Sequence, residues 1–186
     1  MYGYGQREVY LTLNGNKVKG RQVVLPMPPT ENNRHQPIVR RGHPVLINTT
    51  AYNSWLNAAR NALMKGKLPK LDGDVSILVM VVFPDERRRD AQNREKALFD
   101  AFTQSGCVYE DDCKIKLHAT MKQTIKNESA VIAYIVPYEA LMLDDLMLNE
   151  QSLKDLITQA KDETEEVLKR YAKNNPDKVK VATNKK

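Results

Sequence analysis

The chain has 186 residues, 41% hydrophobic and 28% charged, with a formal net charge of +6, which is length enough for one domain with a proper core and an appendage. Its two cysteines, Cys107 and Cys113, exclude a disulfide framework or a zinc cage and fit a reducing compartment. No apolar run reaches transmembrane length and the first residues lack a signal-peptide pattern, so a soluble, cytoplasmic protein with no membrane association is expected. The charge is segregated: residues 32–71 contain no acid, yet Arg34, Arg40, Arg41, Arg60, Lys65, Lys67 and Lys70 supply seven positive charges. Residues 139–172 hold nine acids against four bases, and residues 173–186 hold five lysines and one aspartate. A basic tract that long is either a solvated face or a surface for a polyanion.

In chain order, residues 9–13 and 17–25 flank Asn14-Gly15, a strong hairpin signal. The proline-rich run 25–34 must be an ordered loop. The Asn32, Asn33 and Arg34 at its end either bond phosphate oxygens or satisfy the turn's own backbone. Residues 37–47 read as a short basic ribbon turning at Gly42. Thr49 or Thr50 caps a helix whose Tyr52, Trp55, Leu56, Ala59 and Leu63 form one apolar stripe; the stripe reads as core, with Trp55 against a sheet rather than on a base. Residues 65–70, with Gly66 and Pro69, end that helix.

Residues 75–83 are almost wholly apolar, as in a central strand covered on both faces. A helix is expected from about Ala91 to Thr103, with Asp90, Asn93 or Arg94, Ala97 and Asp100 along one side and Leu98, Ala101 and Phe102 toward the core; Gly106 stops it. Residues 115–122 alternate as a half-buried strand, and a polar turn at residues 126–128 leads into residues 131–136, giving a second hairpin closed by Pro137. Leu153, Ile157, Ala160, Thr164, Val167 and Tyr171 follow a heptad spacing. The helix docks on its own domain or pairs with another subunit; under three heptads, docking is the expectation. The lysine tail has the charge pattern of disorder.

The chemistry concentrates at residues 85–96, Asp-Glu-Arg-Arg-Arg-Asp-Ala-Gln-Asn-Arg-Glu-Lys. Acids and bases meet there at a strand-to-helix corner, where backbone N–H groups and the helix dipole favour bound anions. A second acidic knot follows at Glu110-Asp111-Asp112. Cutting a phosphodiester requires an activated water, a neutralised non-bridging oxygen and a stabilised leaving oxygen. A divalent cation on carboxylates supplies these, and a lysine shares the developing charge. Asp90 and the Asp111/Asp112 pair suit the cation if the fold brings the two loops together, and Lys96 reaches a ligand near the helix start. The plainer reading of the same residues is a surface network of ion pairs.

The run Leu25-Pro26-Met27-Pro28-Pro29-Thr30-Glu31-Asn32-Asn33-Arg34 resembles the opening of RusA-type Holliday-junction resolvases. So does the stretch from Pro84 through Asp90-Ala91-Gln92-Asn93-Arg94-Glu95-Lys96 to Phe102, and so does Gly106 followed by Val108-Tyr109-Glu110-Asp111-Asp112-Cys113-Lys114-Ile115. The resemblance covers roughly residues 23–136 in order, and the set is specific where each piece alone is weak. It implies a small mixed α/β fold working as a homodimer, with Mg²⁺-dependent (or Mn²⁺-dependent) symmetrical nicking of four-way DNA junctions in recombination and repair. Asp90 matches the family's first metal-binding aspartate and Lys96 its active-site lysine. Asp112 matches the aspartate after the glycine, with Asp111 the fallback. The family's Asp-x-Asp-Asn is here Asp90-Ala91-Gln92-Asn93, and Gln92 offers a carbonyl oxygen but no charge, whereas Mg²⁺ prefers anionic ligands.

The expected architecture is therefore α/β (α+β): a small mixed β-sheet packed by two helices, homodimeric, with an added C-terminal helix and basic tail. Its parts are an endonuclease domain (residues 1–138), a helical extension (139–172) and a basic tail (173–186). Asp90, Asp112, Asp111 and Gln92 form the metal set, Lys96 stabilises the phosphate, and Asn93 orients it. Asn32, Asn33, Arg34, Arg40, Arg41, Arg87, Arg88 and Arg89 grip DNA. The alternative is a branched-DNA-binding protein that has lost turnover. A nuclease of the Pro-Asp…(Asp/Glu)-x-Lys type does not fit, because Glu95 and Lys96 are adjacent. His35, His43 and His118 receive no role.

Overall fold

A computed structural model describes residues 4–142 and 148–174, with side chains to residue 170 in the last helix. Asn14 and Gly15, both at positive φ, make the tight turn that joins β1 (Gly5–Leu13) to β2 (Asn16–Pro26). The proline loop follows, pinned where Trp55 Nε1 donates to the Pro26 carbonyl at 3.0 Å and the Arg94 guanidinium donates to that of Pro28. A two-stranded ribbon, β3 (His35–Arg40) and β4 (His43–Asn48), turns at Arg41-Gly42. Thr49 then caps α1 (Thr50–Lys65), its Oγ1 accepting from the Tyr52 N–H, so a short polar side chain satisfies an otherwise orphaned donor. The remaining elements are β5 (Val75–Phe83), α2 (Glu95–Ser105), β6 (Ile115–Thr124), β7 (Ala130–Pro137) and α3 (Glu150–Asn174).

The main sheet has the order β1-β2-β7-β5-β6, with β5 and β6 parallel and the other pairs antiparallel. Every residue of β5 is buried, and strand alternation sends its two sets of side chains into separate cores. Val75, Ile77, Val79, Val81 and Phe83 pack with Val23, Leu25, Ala133 and the buried faces of α1 and α2. Leu78, Met80 and Val82 pack with Leu11, Ile132, Tyr134 and the α3 residues Leu156, Ala160 and Leu168. The mixed α+β architecture is as expected, and Trp55 lies in the first core. No helix among the described residues is long and apolar enough to cross a membrane.

Three local expectations need correction. β6 and β7 are not a hairpin, because β5 lies between them. The 125–129 link crosses the end of β5, with Ile125 N–H donating to the Phe83 carbonyl at 3.0 Å. A fully buried strand has two edges to pair, and taking β6 on one and β7 on the other covers both. The helix begins later than Ala91: Gln92–Arg94 is a separate 3-10 turn and α2 starts at Glu95. Ala97, placed with the polar side, is buried in the core. Finally, the α3 seam keeps Ala160 and Thr164 as expected, but its outer positions are taken by neighbouring residues. Ser152, Leu156, Ala160, Thr164 and Leu168 are buried, while Leu153, Ile157 and Val167 flank them half-buried. The helix docks on its own sheet through this i, i+4 stripe. The Gln159 side-chain amide also bonds Thr12 N–H and C=O at 2.9 and 2.6 Å, covering part of the β1 edge. The side chain of Tyr171 and residues 175–186 of the tail lie outside the described residues.

Candidate active site

Helix α2 runs back along the sheet between its parallel strands, so one of its faces overlooks the turn that opens β6. Gln92, Glu95, Lys96, Phe99 and Asp100 fall at i, i+3, i+4, i+7 and i+8, a single stripe. With Asp112 and His118 they line an open cavity of about 330 Å³. The far wall is held by a buried cation. Arg21, 2% exposed, donates to the Cys107 carbonyl at 2.8 Å and to that of Pro69 at 2.5 Å, which fixes the segment leading to the acidic knot.

Of the expected metal set, Asp112 and Gln92 reach the cavity, as does Lys96. No ion pair among the described residues engages Lys96. Asp90 precedes α2 and stands outside the cavity wall, its Oδ1 accepting from the Gln92 N–H at 2.9 Å. Asp111 is turned to its own backbone: it caps the 112–114 turn by accepting from Cys113 N–H at 2.9 Å, and that bond draws its carboxyl below the usual range. Apart from the His118 imidazole, the donors lining the cavity are carboxylates and an amide carbonyl, hard oxygens of the kind that Mg²⁺ or Mn²⁺ takes. Among the described residues no three His, Cys, Asp or Glu side chains are clustered to hold an ion.

Four cavity residues, Glu95, Phe99, Asp100 and His118, received no site role from sequence. Asp100 Oδ2 accepts from Tyr52 Oη and from Arg34 Nη2, both at 2.7 Å. Burial, then this bond, pushes the Tyr52 phenol up, which keeps it a donor. Glu95 Oε2 lies 3.4 Å from His118 Nε2, and His118 meets the Phe99 ring edge-on at 5.5 Å. The helical stripe of 92, 95, 96, 99 and 100 was the available signal; His118 comes from another strand and had none.

The expected DNA-gripping residues divide. Arg34 faces inward, on Asp100 and 4.9 Å from the Tyr52 ring centroid. Arg89 pairs with Asp85 and lies over Phe83. Arg40, Arg41, Arg87, Arg88, Asn32 and Asn33 are exposed, and Asn93 is half-buried.

The sequence profile described as "Endodeoxyribonuclease RusA" matches residues 26–133, which spans both α1 and the complete cavity wall. The chain is 33% identical over 106 residues to the crossover junction endodeoxyribonuclease RusA of Escherichia coli K12, covering 55% of this chain and 82% of that protein. It is 32% identical over 105 residues to the phage 82 protein of the same name, with the same coverage. With the Aquifex aeolicus protein it shares 29% over 70 residues, 38% of this chain and 55% of that protein's length. On the profile match, the cavity it encloses and these relatives, the chain belongs to the RusA family of endodeoxyribonucleases.

Proposed function

We propose that this chain is a structure-selective endonuclease that nicks four-way DNA junctions symmetrically, as a homodimer using Mg²⁺ or Mn²⁺. The observation that carries the reading is the meeting of Lys96, Gln92 and Asp112 at one open cavity within the family match. Asp90 and Asp112 would hold the ion, with Gln92 and Asp111 as supplementary donors; the ion supplies Lewis-acid activation of water and of the phosphate. The Lys96 ammonium, without a carboxylate partner among the described residues, neutralises charge developing on the phosphate oxygens. Asn93 helps orient the phosphate. Arg40, Arg41, Arg87 and Arg88 meet the backbone, and phosphate contacts of this kind position a protein without reading sequence.

Asp112 lines the cavity together with Gln92, and Asp90 accepts from the Gln92 N–H at 2.9 Å, so both acidic segments border position 92. A second reading, a junction-binding protein without turnover, is favoured by one observation: the cavity position next to Lys96 and Asp112 is the uncharged Gln92.

Metal-dependent nicking of a synthetic four-way junction, with Asp90→Asn as control, decides between them. Nicking that Asp90→Asn abolishes is expected; tight binding with no nicking in either metal gives the second reading. Lys96→Ala should abolish cutting and spare binding, and equal loss of both would make Lys96 structural. Junction affinity should fall steeply with salt through counterion release; a flat response would remove the basic tract from the DNA surface.

A further inference from the structure

Ribbon β3–β4 stands beside the main sheet as a separate two-stranded unit. In its register Pro37 faces Leu46 and Val39 faces Pro44, so these four apolar side chains share one face. Val39 is 77% exposed and Leu46 70%. At the tip Arg41 and Gly42 have φ of 50° and 79°, the signs a two-residue type I′ turn requires. Arg40 and Arg41 are exposed there.

The ribbon's edges are poor sites for another strand. Thr49 N–H donates to the Arg34 carbonyl at 2.8 Å, which makes Arg34 and Thr49 a hydrogen-bonded pair and sets the alternation from there to the tip. Pro37 and Pro44 then fall at the intervening pairs, where an N–H would point outward. Each edge lacks that donor in mid-strand, the usual way an exposed edge is blunted. A partner therefore meets the ribbon's face.

Charge and size select the partner. Residues 32–71 contain no acid, so two ribbons repel each other and both attract a polyanion. A stable protein interface buries about 800 Å² per partner, more than four modest side chains provide. Apolar side chains on a basic scaffold are, however, what proteins insert between base steps to unstack them.

We propose that the ribbon is a wedge whose Pro37, Val39, Pro44 and Leu46 face enters between base pairs at the branch point, while Arg40 and Arg41 hold the flanking phosphates. This rests on the junction-binding reading above and adds how a branch is told from linear duplex: bases at a branch are the least costly to part. The ribbon's root is tied to the cavity, since Arg34, directly before β3, bonds Asp100, so insertion and cutting share one rigid frame.

The test uses the full chain in EDTA with a four-way junction carrying 2-aminopurine beside the branch point, and a linear duplex of matching sequence. Wild type should raise the 2-aminopurine emission on the junction, as expected for a base moved out of its stack. Val39→Ser/Leu46→Ser should lose the rise and bind the junction roughly tenfold more weakly, with duplex affinity and melting temperature unchanged, because both side chains lie in solvent. Unchanged emission and junction affinity in the double variant would overturn the wedge. So would a wild-type dimer that becomes monomeric in the double variant by sedimentation, which would make a second copy the occupant. Wild type that fails to prefer the junction over the duplex would overturn the junction reading itself, and the wedge with it.

Discussion

Replacing Arg34 with alanine separates two roles that the sequence left open. Its side chain is 14% exposed, with Nη2 2.7 Å from Asp100 and Nη1 3.5 Å from Glu31, and its guanidinium lies over the Tyr52 ring. A hydrogen bond to a charged group is worth ~1.5–3 kcal/mol and a cation–π contact ~0.5–2 kcal/mol. Partial exposure keeps the sum near the low end of the ~3–5 kcal/mol lost when a fully buried pair is broken, so ~3 kcal/mol is the working figure. In a protein of this size 1 kcal/mol moves the melting temperature by roughly 2–4 °C. Arg34→Ala should therefore melt roughly 6–12 °C lower by calorimetry. Junction affinity measured against salt with the same variant should keep its slope, because each phosphate contact contributes ~0.9 to it and Arg34 makes none. A slope reduced by about 0.9 with an unmoved melting temperature would put Arg34 on the DNA and refute the reasoning.

Gln92→Asp restores a charged donor beside Asp112 and should lower the Mn²⁺ concentration for half-maximal nicking on the order of tenfold; an unchanged metal requirement would show that position 92 is not a ligand. Leu156→Ala opens a cavity where α3 meets the sheet and should cost ~2–5 kcal/mol in urea unfolding, whereas a loss under ~0.5 kcal/mol would mean that the helix contributes nothing to the core. The Arg89 guanidinium, then the Arg87 N–H, draw the Asp85 carboxyl from 3.8 down to about 2. The stability this contributes is present above the unfolded value and lost as pH falls through the folded one. Between about pH 4 and pH 2, Asp85→Asn should melt with a shallower pH dependence than wild type; parallel profiles would dissociate Asp85 from acid sensitivity.

Sequence by itself determined what depends on near neighbours. Asn14-Gly15 set a hairpin, Thr49 a helix start, and Gly106, at φ 60°, a helix end, because turn and cap preferences are local. The almost wholly apolar run of β5 announced a strand covered on both faces, and the motifs at residues 25–34, 84–102 and 106–115 together carried the family. Tertiary structure decided what depends on distant partners. Whether β6 and β7 pair with each other or with β5 turns on which edges of a buried strand remain open, and no local spacing encodes that. Arg34 looked like a phosphate contact until Asp100 and Tyr52 were placed beside it, and His118 acquired a setting only when β6 lay along α2. A side chain's period is written in its own segment, but its partner is chosen by the packing of the whole chain, where burying a charge demands a counter-charge.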